Sequence, residues 1–104
     1  MRRAAKIDDN QQRVVNALRC TGCSVAVLAA VGKGVPDILA AKAGRTVLLE
    51  VKDGAKPPSA RRLTPDQVAF HAAWRGELYV VTSEAEALRV MAARPPLNVV
   101  GEAT

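Results

Sequence analysis

The chain has 104 residues, of which 49% are hydrophobic, with one Trp, one Tyr and one Phe. That is enough for one compact domain with an Ala, Val and Leu core and too few residues for two, so a single domain is expected. The formal net charge is +5, which favours an acidic partner such as nucleic acid, and no apolar run reaches the roughly 20 residues that a membrane-spanning helix needs.

Residues 1–7 are expected to form a loose basic arm, with the rest of 1–104 a single domain. The N-terminus lacks an apolar signal-peptide core, so the expected location is cytoplasmic, with no membrane partner. Asp8 or Asp9 can cap a first helix running to about Arg19, with Val14, Val15 and Leu18 at helical spacing and Gly22 as its stop. Cys20 and Cys23 make a lone C-x-x-C, which could be half a zinc site or a redox pair. Zinc would need two more ligands and the only histidine is His71. The simpler expectation is that Cys20 ends the helix and Cys23 begins a strand.

Ser24 to Ala30 reads as a first strand, Val35 to Lys42 as a second and Arg45 to Lys52 as a third. Ala43-Gly44 is a plausible two-residue hairpin turn. Asp53 to Arg62 is a polar loop carrying Lys56, Arg61 and Arg62. In Thr64-Pro65-Asp66-Gln67, Thr64 caps, Pro65 suits the first helical position and Gln67 completes a capping-box spacing. The helix so opened is expected to reach about Arg75. Glu77 to Thr82 predicts a fourth strand, and Ser83 with Glu86 a last helix to about Ala93, stopped by Arg94-Pro95-Pro96. The order helix, three strands, helix, strand, helix predicts an α/β domain with helices on a central sheet.

The third strand ends in Glu50-Val51-Lys52. Glu50 and Lys52 are two apart and share a strand face, while Val51 points to the other. By themselves they could be a surface ion pair or part of a catalytic centre. If Ala43-Gly44 forms the turn, Lys42 pairs with Arg45 and counting back sets Asp37 opposite Glu50, about 5 Å apart at Cβ. Two carboxylates held there repel, and a divalent cation removes the penalty. Mg²⁺ is commonly held by one or two carboxylates with water and phosphate oxygens. An ion bound by Asp37, Glu50 and the Val51 carbonyl would polarise a phosphodiester and acidify a bound water. Lys52 would orient the water or offset charge building on phosphorus.

Gly34-Val35-Pro36-Asp37, then Glu50-Val51-Lys52-Asp53-Gly54, then Leu63-Thr64-Pro65-Asp66-Gln67 resembles the PD-(D/E)XK nuclease superfamily. Within it the chain is most similar to the VRR-NUC branch of phage and bacterial replication-repair nucleases, from about Asp9 to Ala93. The resemblance implies a restriction-endonuclease-like fold and cleavage of DNA dependent on Mg²⁺ or Mn²⁺, with no other small-molecule cofactor. It implies metal-binding roles for Asp37 and Glu50 and a catalytic role for Lys52. Gln67 corresponds to the family's glutamine, and its alternative role is to cap its own helix. Related resolvase-like nucleases often carry a glutamate on the first helix, eleven residues before the glycine that ends it. Here that position is Gln11, an amide able to orient water or a ligand at lower charge. Lys56, Arg61 and Arg62 could grip phosphates beside the cut. On the second helix, Trp74 is expected to pack in the core.

Likeness to Holliday-junction resolvases implies a homodimer acting on branched DNA, since two strands must be cut symmetrically. The other readings are a nicking or flap nuclease, a DNA-binding module with a weak or inactive site, and a protein-binding domain with a surface ion pair.

Overall fold

The computed structural model describes residues 9–93. The basic arm expected at residues 1–7 and the Arg94-Pro95-Pro96 stop lie outside them. Helix α1 covers Asp9–Cys20 and buries Val14, Val15 and Leu18. Its end is a Schellman turn, in which the Cys23 N–H donates to Leu18 O and the Gly22 N–H to Arg19 O, both at 3.0 Å. Cys20 thus closes the helix at the surface and Cys23 enters the core just before the first strand, both as free thiols.

Strand β1 is Ser24–Val27, β2 is Ile38–Lys42, β3 is Arg45–Val51 and β4 is Leu78–Val81. They form one sheet in the order β1-β2-β3-β4, antiparallel except for the parallel β3–β4 pair. The first two strands are shorter than their apolar runs suggest. The chain bends after Val27 into a turn closed by Val31 N–H on Leu28 O at 2.9 Å. Pro36, which has no N–H to give a ladder, delays β2 until Ile38.

The β2–β3 hairpin has the expected register, with Lys42 opposite Arg45 and Ile38 opposite Leu49. Ala43 and Gly44 both take positive φ, 53° and 79°, as a type I′ turn requires. Alternation along β3 then separates two sets. Val47, Leu49 and Val51 enter the core with residues of α1 and α3, and Leu48 and Glu50 point to the opposite face.

Between β3 and β4 the chain makes a 3-10 turn at Pro58–Arg61 and then α2, Pro65–Ala73. Thr64 and Gln67 form the full reciprocal capping box. None of the residues of α2 is buried. Trp74, expected in the core, is instead 45% exposed and stacks on Phe70, because the stripe it shares with Gln67 is turned to the Glu50 side of the sheet and not to the core.

Helix α3, Glu84–Ala92, is capped by Ser83 and packs with α1 on the sheet. Its Glu86 carboxylate accepts from the N–H of Thr82 at 2.6 Å, one residue further back than a capping box would place it. Arg45 locks the far end. It chelates Glu77 and donates to the carbonyls of Val90 and Met91 in α3 and of Ala93, its C-cap. The result is a compact α/β fold of three helices and a four-stranded mixed sheet. Among the described residues no helix is long and apolar enough to cross a membrane.

Candidate active site

The start of β2 and the end of β3 meet at one rim of the sheet. Asp37 precedes β2 by one residue, so the ladder that pairs Ile38 with Leu49 brings it beside Glu50. It is anchored twice: its carbonyl accepts from Leu28 N–H at 2.7 Å and its Oδ2 from Val51 N–H at 2.8 Å. Asp37 and Val51 are thereby fixed to each other across the rim.

Glu50 is only 2% exposed. Its Oε2 accepts from Gln67 Nε2 at 3.1 Å and lies 3.7 Å from Lys52 Nζ. Its Oε1 is buried with no hydrogen-bond partner. Burial, and then the neighbouring Asp37 charge, push the Glu50 carboxyl up to about 7, against the opposing pull of Lys52. The Glu50–Lys52 ion pair that the sequence allowed is therefore made, but within the protein, where Lys52 has a side chain only 14% exposed.

Gln67 caps its own helix and also contacts both charged residues of β3. Its Oε1 accepts from Thr64 N–H at 2.9 Å, closing the cap, and from Lys52 Nζ at 2.9 Å. With two donors on its oxygen, the amide must turn its NH₂ toward Glu50. A single side chain so joins α2 to both charged residues of β3. His71, one turn further along α2, has a buried Nε2 without a hydrogen-bond partner. Burial, and then the Lys52 charge, lower its pKa and so favour the neutral imidazole.

Two residues that the sequence reading did not place support the site. Asn10 donates through Nδ2 to Lys52 O at 2.8 Å and Thr82 O at 3.3 Å, tying α1 to the ends of β3 and β4. Gln11 is buried beside it on α1. The available clue was spacing: Asn10 precedes Val14, and Gln11 precedes Val15 and Leu18, on the stripe of α1 that faces the core. Gly34 is the second. A Cβ there would stand 2.2 Å from Asp66 O, so the loop before Asp37 touches the first turn of α2 backbone to backbone.

The expected phosphate-binding residues lie on the loop after β3. Lys56 and Arg62 are exposed and Arg61 is half-buried, with its Nε donating to Lys56 O at 2.9 Å. None of the three forms an ion pair among the described residues. Two cavities of about 440 Å³ each lie elsewhere, one between β4 and α3 and one beside Thr21, Lys42 and Leu88, away from Asp37 and Glu50.

Among the described residues no group of three or more His, Cys, Asp or Glu side chains is placed to hold a metal ion. The donor set at the rim is two carboxylates. That suits Mg²⁺, which keeps several waters and shares substrate phosphate oxygens, better than an ion needing an all-protein cage. In comparisons with known proteins, no family model, curated protein or solved structure matches the chain.

Proposed function

We propose that the chain is a metal-dependent nuclease with a restriction-endonuclease-like fold, similar to VRR-NUC nucleases, that hydrolyses phosphodiester bonds of branched or structured DNA. The observation that carries this reading is Glu50 Oε1. A buried carboxylate oxygen left without a donor, next to a second carboxylate, is costly unless a cation completes it or, in the metal-free chain, a proton held between Glu50 and Asp37 does.

Asp37 and Glu50 would hold Mg²⁺ or Mn²⁺, with the Val51 carbonyl as a third donor. The bound ion would supply Lewis acidity and a more acidic water. The chain's own residues do the rest. Asp37, pinned through Oδ2 by the Val51 N–H, would offer its other oxygen. Lys52, held by Gln67 Oε1, presents a fixed ammonium for the attacking water or for charge building on phosphorus. Gln67 keeps Glu50 and Lys52 in one arrangement, and Lys56, Arg61 and Arg62 would contact flanking phosphates. Water adds to phosphorus as the P–O bond to the leaving strand breaks, and the departing oxygen takes a proton. Cutting both strands of a junction would use a homodimer, one site per copy.

The test is cleavage of supercoiled plasmid and a four-way junction with Mg²⁺ or Mn²⁺, beside Lys52→Ala. Metal-dependent cutting that the variant loses supports the proposal. Paired symmetric nicks at the junction support the resolvase-like form, and single nicks a nicking or flap nuclease. The amide at Gln11, where resolvase-like relatives carry an acid, favours a second reading: a DNA-binding module with an inactive site. Binding without cutting would establish it.

A further inference from the structure

Trp74 is the chain's one tryptophan, and it is 45% exposed although its ring is held from two directions. Phe70 stacks on it, with ring centroids 5.4 Å apart and planes 17° from parallel. Gly76 lies against its edge, where an added Cβ would stand 2.9 Å from the indole nitrogen. A ring that is fixed and still half exposed is a surface platform, not a core side chain.

Its position ties it to the rim. Gln67 and Trp74 are seven residues apart and share one stripe of α2, about 10 Å apart along the axis. The Gln67 end touches Glu50 and Lys52. Successive bases of one stacked strand rise about 3.4 Å each, so the length of α2 from Gln67 to Trp74 matches about three nucleotides. The charge also fits. Arg75, next in sequence, is exposed and has no ion-pair partner among the described residues, as do Lys56 and Arg62 beyond the other end of α2. A second copy of the chain would bring the same net charge of +5 to this surface, whereas a nucleic-acid strand brings the opposite sign. A paired base is already stacked within its helix, so only an unpaired one can use the ring.

We propose that the Phe70–Trp74 pair is a base-stacking platform for single-stranded nucleic acid, which directs the site to strands with unpaired bases beside the cut. This inference rests on the nuclease reading of the rim for its placement but is tested without cleavage.

Because Trp74 is the lone tryptophan, its fluorescence reports on the platform directly. The full chain, kept in EDTA, is titrated with a short oligothymidylate and with a dumbbell duplex whose ends are closed by non-nucleotide linkers. The expected result is saturable quenching by the strand and little by the dumbbell. Trp74→Ala should weaken strand binding about five- to a hundredfold and leave dumbbell binding unchanged, with Trp74→Phe restoring most of the loss. Equal quenching by both ligands, or unchanged strand affinity in Trp74→Ala, would overturn the proposal. So would an emission shift that tracks protein concentration without nucleic acid, which would assign the face to a second copy. The supercoiled plasmid and the four-way junction are then given Mg²⁺. Quenching without cutting leaves the platform and removes the nuclease reading, and cutting without quenching does the reverse.

Discussion

Asp37 Oδ2 accepts a hydrogen bond from the Val51 backbone N–H at 2.8 Å, which fixes the carboxylate across the rim from Glu50. The bond needs an acceptor but not a charge. Asp37→Asn can keep it through the amide oxygen, so the fold should persist, with an unchanged circular dichroism spectrum. Cleavage should fall on the order of a thousandfold, since an anionic metal donor is gone. A plasmid-nicking rate equal to wild type in this variant would remove Asp37 from the centre.

Glu50 couples the site to stability. Its carboxyl is raised from 4.5 to about 7, by burial first and by Asp37 second, so the folded state binds the proton more tightly than the unfolded chain does. In EDTA, stability should be greatest below about pH 4.5 with respect to this group, fall as pH rises through about 7, and level off above that. At about 1.4 kcal/mol per pH unit the full swing is at most about 3 kcal/mol. Glu50→Gln should flatten this decline and raise the metal-free Tm at pH 8 while abolishing cleavage. Mg²⁺ should raise the wild-type Tm more at pH 8 than at pH 5.5 and leave the variant unmoved. Thermal melts with and without EDTA measure all of these, and a variant that melts lower than wild type at pH 8 would contradict the assignment.

The hairpin and its consequences were legible in the sequence because a two-residue turn leaves no freedom. Once Ala43-Gly44 turns, Lys42 must face Arg45 and parity brings Asp37 to Glu50. The Thr64–Gln67 box was legible for the same reason, as its partners are three residues apart. What escaped depends on partners far away in the chain. Asn10 meets carbonyls 42 and 72 positions distant, and Arg45 meets the end of α3. Trp74 was misplaced because helical spacing identifies a stripe but not what that stripe faces. On α2 the stripe carries Gln67 to the rim and leaves the indole half exposed.

Asn10 should be more important to stability than its place in the first turn suggests. It is 8% exposed, and its amide satisfies Lys52 O and Thr82 O together. Asn10→Ala leaves both carbonyls short of a partner at a cost of about 1–3 kcal/mol. Asn10→Asp should cost more, because it sets a carboxylate against two carbonyl oxygens. Urea denaturation of the two variants gives the order, and Asp9→Ala, one residue away and exposed, should have little effect.

Gly34 and Gly32 offer a comparison in which backbone strain is matched and packing is not. Both have positive φ, 83° and 78°, so an alanine pays about 1–2 kcal/mol at either position for the left-handed conformation. At position 32 nothing lies within 4 Å of an added Cβ, and at position 34 it would meet Asp66 O at 2.2 Å. Gly32→Ala should therefore lose some stability and keep its cleavage rate at a temperature where it is folded. Gly34→Ala must push the first turn of α2 away from the Asp37 loop. Gln67 sits in that turn, so Lys52 loses the oxygen that holds it and Glu50 the amide that faces it. The expected signature is a fall in cleavage rate at saturating substrate, beyond anything the melting temperature explains. Equal activity in the two folded variants would show that α2 does not need its contact with Gly34 to hold the centre together.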